Sequence, residues 1–345
     1  MKDSTKEKIN NFFNKNYKKI LIVPAVILLI CTVFMVSFYN QNGDLIKKDI
    51  TLTGGTSIQI TSNTSISALE KVLDEKFGDV SIRQVSNILT GEQVAFIVET
   101  KLKPEEITPF LEEYLGFKLD DKNSSIEFTG STIAGDSYTQ LILAVIFSFL
   151  FMGAVLFFIF SDNLKMKLLV IFLASLVPVL FFMLRIIPIN LAFILSFVFL
   201  VISSLIYIKY SIPAFLIMIC AFADLFMTLS VVNLIGMELS TAGIVAFMML
   251  IGYSVDTDIL LTTRVLKRKG GGINSRIFSS FKTGITMTLT SLSVVLIGLL
   301  ITSSFSEVFF QLFFIIAIGL STDILNTWVT NVCLIKWYTE KNKID

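Results

Sequence analysis

The chain has 345 residues, of which 54% are hydrophobic and only 16% are charged, whereas a soluble domain usually carries about 25% charged residues. We therefore expect most of the chain to lie in a membrane. The formal net charge is +1, which gives no indication of binding to nucleic acid.

The composition also argues against common kinds of enzyme. The chain contains no histidine, which removes Ser-His-Asp and Cys-His catalysis and the commonest metal ligand. Cys31, Cys220 and Cys333 lie far apart in apolar segments, so neither a disulfide framework nor a zinc site is predicted. The sequence also has no nucleophile-elbow or P-loop pattern. We predict no enzymatic activity, no cofactor and no metal site.

The N-terminal part of the chain predicts a cytoplasmic tail followed by a first membrane span. Residues 1–19 are polar and basic, and residues 20–39 form an apolar run long enough to cross a bilayer. A cleaved signal peptide is the alternative. The apolar run is longer than a typical signal sequence and no small-residue cleavage site follows it, which favours a retained span.

Residues 40–137 are polar and predict a separate module outside the membrane. Alternating apolar residues indicate strands and helical spacing indicates helices. The elements are predicted at Thr56–Thr61 (strand), Ser65–Phe77 (helix), Val80–Ser86 (strand), Val94–Val98 (strand), Pro104–Tyr114 (helix) and Ser125–Phe128 (strand). This βαββαβ order is typical of a ferredoxin-like unit, a fold that by itself says little about chemistry. We expect a rigid binding module.

Residues 138–337 predict a bundle of membrane helices, and residues 338–345 a cytoplasmic tail. Seven further apolar segments are found, at Gln140–Phe160, Leu168–Leu184, Leu191–Tyr207, Ala214–Ile235, Thr241–Thr262, Gly284–Thr302 and Val308–Lys336. The predicted fold class is therefore a multi-span α-helical membrane protein with about eight spans and an inserted ferredoxin-like α+β external domain. An odd number of spans is the alternative if one hairpin has been divided wrongly.

Basic residues predict the orientation, because inner loops of membrane proteins are enriched in lysine and arginine. They concentrate in the N-terminus, the Lys165/Lys167 turn, Lys209, the segment Arg264–Lys282 and the C-terminal tail. With eight spans, all of these segments fall on one side. Both termini are therefore predicted to be cytoplasmic, with residues 40–137 external.

Five ionisable residues lie within or at the edge of predicted spans: Asp224, Asp256, Asp258, Arg264 and Asp323. A charge at the centre of a membrane helix costs at least about 2.5 kcal/mol on insertion scales, so each residue is a functional candidate. We consider all five as candidates for ion coupling. Arg264 has a simpler alternative, since it could extend its side chain to the inner headgroups.

Polar side chains at helical spacing predict a shared polar interior between three helices. The candidate lining residues are Thr257, Thr283, Thr286, Thr290 and Asn326. Such Ser/Thr stripes often only hold helices together, which is the alternative for these residues. Asp258 points away from the stripe that carries Thr257 and is expected to serve a different neighbour.

Two consecutive segments, Leu234–Ser240 and Ile251–Arg264, resemble the SecF family of the Sec protein translocase, in particular its archaeal form. The second contains the run Gly-Tyr-Ser-Val-Asp-Thr-Asp, which is the specific part of the match. Leu52–Thr56 and Asp323–Trp328 support it. The resemblance covers residues 20–137 and 211–337.

This resemblance implies membership of the resistance-nodulation-division superfamily and an accessory role in polypeptide export. The implied partners are SecD, the SecYE channel and an unfolded polypeptide substrate, with an ion gradient of H⁺ or Na⁺ as the energy source. It also implies that Asp224 and Arg264 form a buried coupling pair. Since the family is expected to have six spans, residues 168–207 are predicted to be an extra hairpin. A small-molecule or lipid exporter of the same superfamily and a purely structural scaffold are the alternatives.

Overall fold

The computed structural model describes residues 13–78, 80–86, 90–268, 270–302 and 306–343. Within these ranges, eight helices are long and apolar enough to cross a membrane, which confirms the predicted multi-span architecture. The predicted tail up to residue 12, the basic residue Lys269 and the last two residues of the chain lie outside the described residues.

The secondary structure consists of a small sheet module inserted between membrane helices. In chain order, the elements are α1 Ile22–Asn42, α2 Ile50–Thr53, β1 Gly55–Ile60, α3 Ile66–Phe77, β2 Val80–Ser86, β3 Gln93–Thr100, α4 Pro104–Leu115, β4 Ser124–Thr129, α5 Ser131–Phe160, α6 Leu164–Pro178, α7 Ile189–Tyr210, α8 Ile212–Ile235, α9 Thr241–Lys267, α10 Ile273–Thr302, α11 Glu307–Leu325 and α12 Val332–Lys341. Two π-helical segments, Val179–Met183 and Asn326–Asn331, follow α6 and α11.

The sheet module has the predicted βαββαβ order. Its four antiparallel strands are arranged β2-β3-β1-β4, the strand order of a split βαβ unit. Successive side chains along a strand point to opposite faces of the sheet. Ile58 of β1 and Phe96 of β3 therefore lie on one face, where Leu69 of α3 and Ile107 of α4 cover them. The opposite face is polar and borders a cavity of about 270 Å³ at the ends of α9 and α11.

Gly55 allows β1 to approach β3 at the point where the chain enters the sheet. Its φ is +145°, and a Cβ atom there would lie 2.4 Å from the carbonyl oxygen of Thr100. A side chain at this position therefore combines a disfavoured backbone conformation with a direct clash. Strand packing therefore requires a glycine at position 55, inside the segment Leu52–Thr56 that supports the family resemblance.

The segment before the sheet is tied to the loop between α8 and α9. The amide of Leu239 donates to the carbonyl of Lys47 at 2.6 Å, and the amide of Asp49 donates to the carbonyl of Leu239 at 3.0 Å. An ion pair of 2.9 Å joins Lys47 to Glu238. We call residues 45–49 the strap; it connects the module directly to the membrane helices that contain the buried carboxyl groups described below.

At the other end of the bundle, several of the basic segments used for the orientation meet. Asn14 accepts hydrogen bonds from Asn274, at the start of α10, and from Lys336 of α12. Lys267, at the end of α9, donates to the carbonyl of Ile159 in α5 at 2.9 Å. The strap and the basic ends therefore lie at opposite ends of the bundle.

Several helices differ from the predicted bounds because hydropathy detects only their apolar parts. α10 begins at Ile273 rather than Gly284, since its first turns are polar yet helical. The predicted hairpin 168–207 corresponds to α6, its π-helical end and α7, which pack on α5 around Leu150, Val177 and Ala192. Neither π-helical segment nor the short α2 was predicted.

We expect Gly55→Ala to destabilise the purified protein by about 2–4 kcal/mol, through backbone strain and the clash with Thr100. Gly78→Ala is the matched control, because Gly78 also has a positive φ (+58°) but nothing within 4 Å of an added Cβ; its expected cost is about 1–2 kcal/mol. Thermal unfolding in detergent measures the difference. Equal melting temperatures would contradict the packing argument.

Candidate functional site

Three carboxyl groups lie inside the membrane bundle without any exposure to its surroundings. Asp224 is near the middle of α8, Asp258 is in α9 and Asp323 is in α11, and each side chain is 0% exposed. The side chains that contact them carry hydroxyl and amide groups and come from α9 and from the π-helical segment after α11. We call Asp224, Asp258 and Asp323 the carboxyl cluster.

Asp224 is held by one residue from each of two neighbouring elements. The hydroxyl of Ser254 donates to Oδ2, and Nδ2 of Asn326 donates to Oδ1 at 2.6 Å. The Asn326 side chain is fixed in turn, because the hydroxyl of Thr330 donates to its Oδ1 at 3.1 Å. Both carboxyl oxygens of Asp224 therefore have a partner.

The hydroxyl of Thr327 bridges the other two carboxyl groups. Its Oγ1 lies 3.0 Å from Oδ1 of Asp258 and 2.9 Å from Oδ1 of Asp323. A threonine hydroxyl has one hydrogen to donate, so it can donate to only one of these acids. The second short contact is a hydrogen bond only if that acid holds a proton and donates it to the hydroxyl oxygen.

A second hydroxyl extends this network towards Asp224. Oγ1 of Thr257 lies 3.2 Å from Oδ2 of Asp323 and 3.3 Å from Oγ1 of Thr327. It also donates to the backbone carbonyl of Ser254 at 3.0 Å, the residue that binds Asp224. Polar groups thus connect all three acids.

The π-helical segment between α11 and α12 supplies most of the network. Asn326, Thr327, Thr330 and Asn331 are all buried, and Nδ2 of Asn331 donates to Asp258 at 2.7 Å. A π-helical turn is wider than an α-helical turn and often marks a functional position. Here four polar side chains within six residues turn towards the acids.

The helices that carry the cluster pack very closely. Gly319 lies one helical turn before Asp323, and a Cβ atom there would lie 2.4 Å from the side chain of Leu250 in α9. The absence of a side chain lets α11 approach α9, so that Thr257 can reach Asp323.

Arg264 does not pair with Asp224, and the expected coupling pair is therefore wrong. Nη1 of Arg264 donates to the carbonyl of Ser279 and to the hydroxyl of Thr283, both at 2.9 Å. Ser254 of α9 contacts Asp224 and therefore lies at the same depth in the bundle. Arg264 lies ten residues further along α9, which corresponds to about 15 Å along the helix axis. No ion pair joins a cation to the carboxyl cluster in the part of the chain that the structure describes.

The other candidate residues divide between the cluster and the surface. Thr257 and Asn326 contact the acids, as described above. Thr283 binds Arg264 near the basic end. Asp256, Thr286 and Thr290 are exposed on the outer surface of α9 and α10, so they do not line the same interior. Across the described ranges, no three acidic or cysteine side chains converge as ligands of one metal ion.

Ser254, Thr327 and Asn331 were missed as candidate residues. The helical spacing used for the prediction assumes 3.6 residues per turn, and the π-helical segment changes which residues share a face. A usable signal existed: the run Asn326–Asn331 contains four Asn or Thr residues inside an otherwise apolar span.

Comparisons with known proteins agree on one family. Residues 187–341 match the family model described as "Protein export membrane protein SecD/SecF, C-terminal". Protein-export membrane protein SecF of Methanothermobacter thermautotrophicus is 29% identical over 331 residues, which cover 94% of each chain. SecF of Methanocaldococcus jannaschii is 28% identical over 94% of this chain and 96% of its own. SecF of Pyrococcus furiosus is 28% identical over 98% and 96%.

A solved structure has a similar fold. The crystal structure of SecDF, a translocon-associated membrane protein from Thermus thermophilus, aligns with a TM-score of 0.59 at 16% identity. The alignment covers 94% of this chain and 38% of that longer chain. At this identity the likeness concerns the fold alone.

We expect Thr327→Val to destabilise the protein by about 1–3 kcal/mol, because two buried carboxyl groups lose their shared hydroxyl. Thr290→Val is the matched control: Thr290 is exposed and donates only to its own helix, at Thr286. Its effect should stay within about 0.5 kcal/mol. Thermal unfolding in detergent compares the two variants, and an unchanged melting temperature for Thr327→Val would argue against the bridge.

Proposed function

We propose that this chain, which belongs to the SecF family of protein-export membrane proteins, is an accessory subunit of a Sec export machinery that assists polypeptide translocation by using an ion gradient. Its similarity to archaeal SecF proteins along nearly the whole chain supports the export role. The carboxyl cluster supports the use of a gradient, and it is the observation on which this proposal depends.

Three buried carboxyl groups with no cation beside them cannot all remain ionised, because isolated charges are strongly disfavoured in a low-dielectric interior. The cluster therefore has to take up protons or a small cation. The Thr327 bridge favours the proton, since both of its short contacts are satisfied only when one acid carries one. Oδ2 of Asp258 is buried and has no hydrogen-bond partner among the described residues, so it offers a further position for a proton.

Proton uptake and release would change the hydrogen bonds that hold three helices together. An acid that gains a proton becomes a donor, and Thr257 and Thr327 must then redirect their hydroxyl groups. Moving one charge through 100 mV supplies about 2.3 kcal/mol, which is enough to shift a two-state equilibrium by more than tenfold. The bundle would thus alternate between two packings of α8, α9 and α11.

The strap would carry that change to the sheet module. Asp224 and Asp258 lie in α8 and α9, and the loop between these helices is the one that pairs with Lys47 and Asp49. Nδ2 of Asn233, in the last turns of α8, also donates to the carbonyl of Leu45 at 2.8 Å. Any shift of α8 against α9 therefore acts on the chain that enters the module.

We further propose how the chain is oriented in the membrane and which of its segments lie on each side, as its basic residues indicate. The N-terminus up to residue 19 and the tail 338–345 would be cytoplasmic, and the module 40–137 would be external. The first span 20–39 and the bundle 138–337 would lie in the cell membrane, with 168–207 as an additional hairpin. The meeting of basic segments at one end of the bundle supports this division.

The proposed partners are a SecD subunit, the SecYE channel and the unfolded polypeptide in transit. The fold likeness to a SecDF chain more than twice as long supports a second subunit beside this one. The external module would hold the emerging polypeptide or contact SecD.

We expect Asp224→Asn to lower gradient-dependent export by about tenfold or more, because the drive from one charge in 100 mV is about 2.3 kcal/mol. Export of a secreted reporter into inverted membrane vesicles is measured with the H⁺ and Na⁺ gradients imposed separately. Asp162→Asn is the control, since Asp162 is exposed in the turn between α5 and α6.

The amount of Asp224→Asn protein in the membrane and its melting temperature are measured alongside. A stable variant that exports at the rate of the unaltered protein would refute ion coupling at this cluster. A variant that loses export only because it unfolds would favour the structural-scaffold alternative.

The orientation is tested with single cysteines in a chain whose Cys31, Cys220 and Cys333 are replaced by alanine. Asp74→Cys, exposed on α3, should react with a membrane-impermeant maleimide in intact cells. Asp162→Cys, in the turn between α5 and α6, should react only after permeabilisation. The reverse labelling pattern would invert the proposed topology.

A further inference from the structure

A polar cavity of about 350 Å³ lies at the basic end of the bundle, where α9 ends and α10 begins. The residues that line it are Arg268, Gly270, Gly271, Ser275, Arg276 and Ser279. None of them is acidic, and the sequence has no aspartate or glutamate between Asp258 and Glu307. The cavity therefore combines positive charge with hydrogen-bond donors in a stretch of chain that carries no compensating acid.

Arg276 carries a buried guanidinium group without a carboxylate partner. The residue is only 5% exposed, and no ion pair engages it within the described residues. Its Nε donates to the carbonyls of Gly270 and Gly271, and its Nη1 donates to the carbonyl of Val265. Nη2 has no hydrogen-bond partner in the part of the chain that the structure describes, yet its surface is accessible. Buried charges in proteins are normally paired, so an anion is expected in the cavity beside this guanidinium group.

Further hydrogen-bond donors surround the same cavity. The hydroxyl groups of Ser275 and Ser279, one turn apart on α10, bond to no other described residue. The amides of Gly271 and Gly272 likewise donate to no group among the described residues. The start of a long helix also favours a negative charge electrostatically. Guanidinium, hydroxyl and amide groups together form the donor set that phosphate oxygens accept.

The positive charge around the cavity extends beyond its lining. Nη1 of Arg264 donates to the carbonyl of Ser279 at 2.9 Å, and Lys267 directly precedes Arg268. No ion pair joins any of these three cations to an acid in the described part of the chain. Because the planar fork of arginine matches the oxygens of phosphate, this concentration of charge favours a phosphate group over a neutral ligand.

The surroundings of the cavity favour a phosphate that carries an apolar tail. Phe278 follows Ser275 by three residues on α10 and precedes Lys282 by four, so these side chains share one face of the helix. Phe278 is 50% exposed. The donor-rich cavity thus continues into apolar surface at the end of two membrane spans, which is the depth of lipid headgroups. Basic pockets between membrane helices at this depth are typical binding sites for anionic lipids.

We propose that this cavity binds the phosphate group of an anionic membrane lipid, with Arg268, Arg276, Ser275 and the amides of the glycine loop as donors. The bound phosphate neutralises the buried guanidinium group of Arg276, and the acyl chains lie along the exposed surface at Phe278. The lipid thereby connects the end of α9 to the start of α10. The inference depends neither on the carboxyl cluster nor on the export role.

Native mass spectrometry of the purified full chain in detergent measures the binding of single lipid molecules. Phosphatidylglycerol is the probe, a galactolipid with the same acyl chains is the control without phosphate, and inorganic phosphate is the control without a tail. We expect phosphatidylglycerol to bind about tenfold more tightly than the galactolipid, because only its phosphate gains charge-assisted hydrogen bonds. Inorganic phosphate at the same concentration should not displace it.

A carboxylate placed in the cavity tests the position of the site. Ser275→Asp should weaken the binding of phosphatidylglycerol about tenfold, because like charges at a desolvated contact are strongly disfavoured. An acid in the first turn of a helix favours folding, so this variant should remain folded. Asn163→Asp is the matched control, since Asn163 is exposed at the N-terminus of α6, near Lys165 and Lys167 but outside the cavity. It should leave lipid binding unchanged.

A charge removal supplies the second measurement. Arg268 is exposed, and Arg268→Gln should weaken the binding of phosphatidylglycerol about threefold, as expected for one partly solvated charge. Lys209→Gln is the control, because Lys209 is exposed in the last turn of α7, away from the cavity. The melting temperature of every variant in detergent shows whether the chain is folded, and Arg268→Gln decides the question if Ser275→Asp unfolds.

Each contrary outcome has its own meaning. Equal binding of phosphatidylglycerol to the unaltered protein, Ser275→Asp and Arg268→Gln would overturn the site. Equally tight binding of the galactolipid would overturn the recognition of phosphate. Displacement of the lipid by inorganic phosphate at the same concentration would replace the lipid with a free phosphate ligand. Weaker binding in Asn163→Asp as well would indicate a general effect of charge and would contradict the assignment to this cavity.

Discussion

The interior of this membrane bundle depends on keeping three acids inside it without a compensating cation. Asp224, Asp258 and Asp323 receive hydrogen bonds from hydroxyl and amide groups, but hydrogen bonds alone do not neutralise three charges in a low-dielectric medium. We therefore propose that at least one of the three acids holds a proton in the folded state. The close approach at Gly319 and the π-helical turn both serve the same end, since they bring Thr257, Thr327 and their neighbours within reach of the acids.

The acids are also linked to the sheet module. The acids lie on helices whose connecting loop is bound to the strap, and the strap leads directly into β1 through a glycine pair. A change in the hydrogen bonds around Thr327 would alter how α9 and α11 pack, and the loop at Leu239 would transmit that shift. In contrast, Arg264 is engaged at the basic end with Ser279 and Thr283, where it joins α9 to α10. Its hydrogen-bond partners are therefore separate from those of the acids.

Much of the architecture could be predicted, because long apolar runs indicate membrane helices and alternating apolar and polar residues indicate strands with one buried face. The eight spans and all six elements of the sheet module were found in this way, and the cost of burying a charge identified Asp224, Asp258 and Asp323 as candidates. The details that failed depend on three-dimensional packing. A helical wheel of constant pitch could not anticipate the π-helical turn that directs Thr327 and Asn331 towards Asp258. The resemblance suggested an Asp224–Arg264 pair. Arg264, however, lies about 15 Å further along α9 than Ser254, the residue of α9 that contacts Asp224.

The central claim is that the carboxyl cluster holds a proton in the folded protein. Infrared spectroscopy of the purified protein in lipid measures this directly, through the C=O stretching band of a protonated carboxylic acid shielded from water. The account predicts such a band at neutral pH, its loss or shift in Asp323→Asn, and no change in Asp162→Asn. A spectrum in which no buried carboxylic acid is protonated, with or without added sodium, would contradict the account.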